Sequence, residues 1–554
     1  MEKLWLKQYD EGVSPHLEYP DFPLHKLLEI SSSKFAHTCA VNFYGNEISY
    51  QEWWKLSSLF ASHLMSRGLK KGDRVILFLP NCPQMVIAFY GTLIAGGVAV
   101  PTNPLYQERE LKHQMSDSGA EIVVTLDLLY EKVKSAKAGT KVHTVILTAV
   151  QDYLPPLKRM IYPLLNKSSG EPSEMKKGEG VELWKKFMAQ EKRGEIFPKV
   201  SSEDLAVLQY TGGTTGVSKG AMLTHQNLVC NTYQMRSWYF AVKEGEEVVL
   251  AVLPLFHSFG IAVCMNFSII TGSTILLIPR FSPVELLKAI QENRVTLFPG
   301  IPGIYSALIH YRGLKKYTLS TIRFCISGAA PLPVKVMEEF EQLTGGLIIE
   351  GYGLSETSPV THSNPLYKQR KAGSIGLPVP DTDCKIVDLE TGSREVSAGE
   401  EGELCIKGPQ VMKGYWNRPE ETAQTIRDGW LYTGDIARMD SDGYFSIVDR
   451  KKDMIISEGF NVYPQEIDDL LLRHPKILEA ATVGIPDELR GEKIYSYIVL
   501  KENETATPEE ILAYCRENLA KYKIPKRILI RESLPKSPLG KILKRELKKE
   551  TSKG

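Results

Sequence analysis

Between Val248 and Pro279 the chain runs for 32 residues without one Asp, Glu, Lys or Arg. No other feature restricts its folding so tightly. A stretch of that length can cross a bilayer; otherwise a large domain must enclose it and satisfy its backbone groups. Pro254, His257, Ser258, Gly260, Asn266 and Gly272 interrupt it. That pattern favours a buried strand–helix–strand over a membrane span. Enclosure needs a large core, and a chain of 554 residues that is 43% hydrophobic has the material for one. Met85 to Val100 is also uncharged but too short to span, and Gly91, Gly96 and Gly97 break it.

Charge and cysteine content exclude several classes. Lys and Arg number 67 against 66 Asp and Glu, a net charge of +1. The chain lacks the overall basic field that holds nucleic acid, so no nucleic-acid partner is expected. It has too much apolar material for disorder. The eight cysteines are scattered with no CxxC pair, which removes zinc-ribbon and thioredoxin-type readings. Their density suits a reduced compartment with thiols used as small core residues. Met1 to Asp10 has no apolar core of signal-peptide length, so a cytoplasmic location is expected.

Helix and strand signals alternate. Ser49 and Glu52 form a capping box for a helix running to Gly68. Val75–Leu79 reads as a buried strand, Met85–Ala95 as a helix and Val98–Val100 as a short strand. Glu108–Ser118 reads as a helix, and Glu121–Thr125 as the next strand. Ser282, Pro283 and Glu285 give a second capping box with Pro at the first helical position. Repetition of this kind predicts α/β layers with much parallel pairing. Lys167–Gly180 is polar and reads as an exposed insertion. After Tyr463 the elements shorten: a helix from Pro464 to about His474, strands near Ala480–Val483 and Tyr495–Leu500, and a helix capped by Thr507 and Pro508. The predicted fold is a large N-terminal α/β domain of several subdomains, residues 1–450. A small α+β C-terminal domain follows, residues 451–554, the change falling where Asp449-Arg450-Lys451-Lys452-Asp453 breaks the apolar pattern.

The strand Leu205–Tyr210 runs into Thr211-Gly212-Gly213-Thr214-Thr215-Gly216-Val217-Ser218-Lys219-Gly220. Glycine lets backbone N–H groups approach an anion, and the hydroxyls add donors. Lys219 adds positive charge, and a helix starts near Thr224. The loop suits phosphate but lacks the Walker A spacing. Gly351-Tyr352-Gly353 also fails the dinucleotide fingerprint, because Glu356 stands at its third glycine position. A plain hairpin tip would have a similar composition.

The loop resembles the phosphate loop of the adenylate-forming enzymes: acyl-CoA synthetases, adenylation domains and beetle luciferases. Five further motifs follow in that family's order. Gly328-Ala329-Ala330-Pro331-Leu332 resembles the adenine-pocket segment. Glu350-Gly351-Tyr352-Gly353-Leu354-Ser355-Glu356 resembles the next core motif, and Tyr432-Thr433-Gly434-Asp435 the ribose motif. Asp449–Asp453 resembles the hinge motif, and Leu534–Lys541 the C-terminal lysine motif. Asp428–Asp435, continuing through Ile447 to Asp453, is similar to the bacterial fatty acyl-CoA synthetase signature.

The resemblance implies a fatty acid–CoA ligase using ATP, Mg²⁺ and coenzyme A, with a mobile C-terminal domain. It implies that Lys541 acts on the carboxylate and α-phosphate and that Glu356, with Thr211, holds Mg²⁺. It implies that Tyr352 stacks on adenine and that Asp435 and Arg450 bind the ribose or a phosphate. Lys452 takes the hinge position and Gly459 approaches the pantetheine tunnel. His257 lies near the acyl substrate, and the uncharged run lines part of an acyl tunnel. The departure is Pro538-Leu539, where small polar or aliphatic residues are commoner. Medium-chain or aryl acids, and transfer to a carrier protein instead of coenzyme A, stay open. So do peripheral membrane contact and the oligomeric state.

Overall fold

The computed structural model describes residues 3–165, 180–189, 196–211, 218–457, 460–487, 491–537 and 540–551. Four sheets organise the chain. The first has seven strands in the order Val181–Leu183, Thr144–Thr148, Ile122–Leu126, Arg74–Phe78, Val98–Pro101, Leu205–Thr211 and Lys219–Thr224. Pairing is parallel throughout except for the last two strands, which form an antiparallel hairpin. The central strands, such as Ile122–Leu126 and Thr144–Thr148, are buried along their whole length, and their Val-, Ile- and Leu-rich sequences suit parallel strands covered on both faces.

The second sheet has nine strands and a parallel centre: Leu347–Gly353, Phe324–Ser327, Leu297–Gly300, Val248–Ala251, Thr274–Leu277 and Cys39–Phe43. A third, antiparallel sheet contains Asp383–Val387, Glu401–Lys407, Trp430–Met439 and Phe445–Arg450. The fourth is built from Ile455–Ser457, Phe460–Val462, Ile477–Asp487, Gly491–Leu500 and Arg527–Arg531. Among the described residues no strand pairing joins this sheet to the other three.

The uncharged run becomes the strand Val248–Ala251, a helical stretch Ser258–Thr271 and the strand Thr274–Leu277. Within the helical stretch, Ile261–Asn266 is wound as a π-helix and is fully buried. Among the described residues no helix is long and apolar enough to cross a membrane. Asn81, just after the strand Arg74–Phe78, clamps this run to the first sheet. Its amide donates to the carbonyls of Ala251 and Leu253, both at 2.9 Å, and its Oδ1 accepts from Leu255 N–H at 2.8 Å.

Local expectations meet several differences. The helix Tyr50–Ser66 is capped as expected, Ser49 accepting from Glu52 N–H. The helix Pro283–Asn293 starts at the expected Pro283, but the Ser282 side chain makes no capping bond. The glycine-rich loop does not lead directly into a helix. It turns back as the strand Lys219–Thr224, and the helix His225–Trp238 follows. The strands after Tyr463 are longer than expected, because Ile477–Asp487 and Gly491–Leu500 pair along their whole length. Most of the expected insertion Lys167–Gly180 lies outside the described residues.

Asn81 is 4% exposed, so water cannot readily replace its bonds. Replacing Asn81→Leu keeps the branching of the side chain but leaves backbone groups unpaired. A cost of about 3 kcal/mol is expected, read as a lower urea midpoint for the large domain. An unchanged midpoint would remove Asn81 as the clamp.

Candidate active site at the domain junction

The site begins with Asp435, which is 5% exposed in the strand Trp430–Met439. Register places it opposite Arg450 in Phe445–Arg450. The Arg450 Nε lies 3.3 Å from Asp435 Oδ1, and the Tyr352 hydroxyl donates to Oδ2 at 2.6 Å. Burial, and then the Asp435 charge, push the Tyr352 phenol well above its ordinary pKa. Tyr352 also stands edge-on to His362, with ring centroids 5.8 Å apart. Its strand, Leu347–Gly353, passes very close to its antiparallel neighbour. A Cβ on Gly353 would fall 1.9 Å from the Pro359 carbonyl oxygen, so only glycine fits. Gly351 pairs with Ser363 in the same hairpin.

Glu350 faces inward. Its Oε1 accepts from Leu332 N–H at 3.0 Å, and burial raises its pKa to about 7. It is a peg that shapes the turn Gly328-Ala329-Ala330, in which Ala329 takes a positive φ of 66°. A Cβ on Gly328 would come within 3.0 Å of the Phe259 ring. The turn thus packs on the uncharged run. Ser258 and Ser355 hydroxyls, 3.2 Å apart, join the same run to the turn that carries Glu356. Between these contacts lies His257, half-buried. Its Nδ1 accepts from Phe259 N–H at 3.3 Å, which leaves the proton on Nε2. Burial lowers its pKa to about 4, so it is neutral at pH 7.

Thr211 and Lys219 are paired at the base of the hairpin. The segment between them that carries Gly212, Gly213, Thr214, Thr215 and Gly216 lies outside the described residues, as does Gly459. The short helix Ser355–Thr357 packs on both strands of this hairpin. Glu356 accepts a hydrogen bond from the Tyr415 hydroxyl through Oε1 at 2.9 Å. Lys219 forms an ion pair with Glu421, its ammonium 5.3 Å from the centre of the Tyr415 ring. Among the described residues no three His, Cys, Asp or Glu side chains gather to hold a metal ion alone. Mg²⁺ usually takes one or two protein oxygens and fills its shell with water and phosphate. Glu356 and the Thr211 hydroxyl are hard oxygen donors of that kind.

Lys541 comes from the last loop. Ser537 N–H donates to the Lys541 carbonyl at 2.8 Å, and Gly540, at φ 71°, lies against Ile301 of the nine-stranded sheet's flank. The Lys541 side chain is exposed on its outer side, while the packed junction around it removes part of its hydration. This loss, and next the Arg450 cation, lower its pKa to about 7, with Asp435 and Asp453 pulling upward and Lys452 downward. Lys452 sits in the turn after Arg450, and loss of hydration lowers its pKa too. Ile447 pairs with Ala437 behind Asp435 and packs on the main core.

The structure therefore gathers Lys541, Asp435, Arg450, Tyr352 and Lys452 at one junction. It assembles Thr211, Lys219 and Glu356 beside the hairpin, and ties His257, Gly328, Ala329, Ala330 and Ser355 to the uncharged run. Sequence reasoning passed over Tyr415, Glu421, Ser258 and Phe259. A Gly414-Tyr415-Trp416 triplet ahead of the helix start at Pro419 was the available signal for Tyr415.

The geometry has a counterpart among known proteins. The AMP-binding enzyme family matches residues 28–416, and the C-terminal domain of AMP-binding enzymes matches residues 466–541. The chain belongs to this family. The long-chain-fatty-acid–CoA ligase of Bacillus subtilis is 47% identical over 552 residues, covering 99% of this chain and 98% of that protein. The ligase of the same name from Salmonella typhimurium is 39% identical, again over 99% and 98%. Among solved structures, ATP-bound MatB from Rhodopseudomonas palustris has a TM-score of 0.81 at 30% identity, covering 96% of this chain and 99% of that one.

A lysine lowered to about 7 carries a free amine at pH 8, whereas an ordinary lysine does not. An amine-acylating reagent is expected to modify Lys541 with a midpoint near pH 7, read by peptide mass spectrometry across a pH series. A midpoint near 10 would mean that Lys541 spends its time away from the junction.

Proposed function

We propose that this chain is an ATP-dependent, AMP-forming fatty acid–CoA ligase acting on long-chain fatty acids. The observation that carries the reading is the approach of Lys541 to the Asp435–Arg450 pair, in a chain related along its whole length to ligases of that name. In the first step the carboxylate attacks the α-phosphorus of ATP, forming acyl-AMP and releasing pyrophosphate. In the second the thiol of coenzyme A attacks the acyl carbonyl, forming acyl-CoA and releasing AMP.

The first step brings one anion onto another, so positioning and charge neutralisation carry it. Lys541 neutralises the carboxylate and α-phosphate. The incoming anions favour its protonated form and offset the effect of the junction. Asp435, fixed by Tyr352 and Arg450, accepts from the ribose hydroxyls. Tyr352, in the strand beside the Gly328–Ala330 turn, flanks the adenine. Lys219 and the glycine-rich loop hold the phosphates. Glu356 and Thr211 would hold Mg²⁺, which when bound neutralises phosphate charge. Neutral His257 orients the substrate and transfers no proton. The buried Val248–Pro279 run supplies apolar wall for the acyl chain.

Lys541 must leave before coenzyme A can enter the space it fills. Residues 451–554 therefore turn as a unit about Lys452, where, among the described residues, strand pairing with the large domain ends. The substrate partitions into lipid, so a cytoplasmic enzyme with peripheral membrane contact fits the reading.

Lys541→Ala is expected to lower palmitate-dependent ATP–pyrophosphate exchange by about a thousand-fold. The same variant should still convert supplied palmitoyl-adenylate and coenzyme A to thioester at the wild-type rate. Loss of both half-reactions in a folded variant would sink the two-orientation mechanism. Coenzyme A-dependent AMP release with palmitate, octanoate and coumarate tests the substrate class, palmitate being the expected best.

A further inference from the structure

Residues 412–416 are stitched into the site on both sides. Met412 N–H donates to the Glu356 carbonyl at 2.8 Å. On the other edge Lys413 N–H donates to the Met222 carbonyl, Met222 N–H to Gly414, and Trp416 N–H to Gly220. Tyr415 faces Ala221 across this pairing. Its backbone is held equally tightly. Thr422 Oγ1 accepts from Tyr415 N–H at 2.9 Å and donates to the Arg418 carbonyl at 2.8 Å. A Cβ on Gly414, at φ 144°, would stand 2.6 Å from Thr422. Backbone contacts thus fix the position from which the phenol extends.

It points between two groups of opposite charge. The hydroxyl donates to Glu356 Oε1, and the ring lies under the Lys219 ammonium. Glu421, next to Thr422, closes the set as the counter-ion of Lys219. Among the described residues Glu356 Oε2 has no hydrogen-bond partner. We propose that Tyr415 is a positioning residue for adenylation, holding one oxygen of Glu356 so that the other meets the phosphate-bound divalent cation. A glutamate has rotatable bonds to immobilise when it takes a cation. One already tied by a hydrogen bond loses less freedom on binding, and partners behind a ligating carboxylate tune affinity in this way. The inference rests on the reading of Glu356 as the cation's carboxylate.

Calorimetric titration of ATP into the full-length protein, over a series of free Mg²⁺ concentrations and in EDTA, separates the two ideas. Tyr415→Phe keeps the ring and removes the hydroxyl. It is expected to raise the Mg²⁺ concentration that half-saturates tight ATP binding about ten-fold. Affinity in EDTA, the KM for palmitate and the thermal midpoint should not change. Glu356→Gln should abolish the Mg²⁺ dependence, and adding Tyr415→Phe to it should have no further effect. A normal Mg²⁺ response in Glu356→Gln would defeat the Glu356 reading itself. A defective Glu356→Gln beside an unaffected Tyr415→Phe would overturn the role of Tyr415 alone. Equal weakening of ATP with and without Mg²⁺ would overturn it as well, leaving Tyr415 a packing residue. If Tyr415→Phe fails to fold, Glu356→Asp draws the carboxylate away from the phenol and should give the same shift. No shift there would overturn the proposal.

Discussion

The architecture depends on housing a long uncharged segment without leaving its backbone unpaired. Strand pairing satisfies both ends of the Val248–Pro279 run, and helical bonds satisfy its middle. The exposed carbonyls and N–H at the first bend fall to one side chain, Asn81. Because Asn81 follows the seven-stranded sheet, this solution ties the two large sheets together. It also fixes the segment that carries His257, Ser258 and Phe259. From there contacts run to Ser355 and Gly328, so the turns Gly328–Ala330 and Ser355–Thr357 are both referenced to the buried run.

Electrostatics at the junction follow a different logic. Asp435 is buried and would be costly if left alone. Tyr352 and Arg450 satisfy it from two different sheets. Lys541 arrives from the C-terminal segment, which among the described residues makes no strand pairing with the first three sheets. Cations crowd each other there, and Lys541 and Lys452 both lose hydration. Such a crowd of cations beside a single buried carboxylate favours the approach of anions, in keeping with the proposed role of the site. Among the described residues no strand pairing ties the fourth sheet to the other three, which is compatible with the turning of residues 451–554 proposed above.

Periodicity made the α/β layering legible, because parallel strands buried on both faces require apolar runs such as Val75–Leu79, which overlaps the strand Arg74–Phe78. The strand Lys219–Thr224 was missed, since its Lys-Gly-Ala-Met-Leu-Thr sequence has no clean alternation. It exists because the hairpin partner and residues 413–416 pair with it on both edges. The capping bond expected at Ser282 did not form, although Pro283 still set the helix start. Motif order singled out Lys541, Asp435, Arg450 and Glu356 as candidates, and the charge of the glycine-rich segment singled out Lys219. Motif order could not indicate that Tyr352 serves Asp435 or that Glu350 pegs the neighbouring turn.

By itself the sequence determined the class of chemistry. A glycine- and threonine-rich loop, ordered motifs and an uncharged run require particular residue types at particular chain positions, and local pattern records those. Only the tertiary structure decided which of these groups meet. Asp435 and Tyr352 are 83 positions apart, and Tyr415 and Glu356 are 59 apart. Contacts over such separations depend on sheet order and strand register. Those are set by the packing of the whole core and leave no local trace in the residues that make the contact.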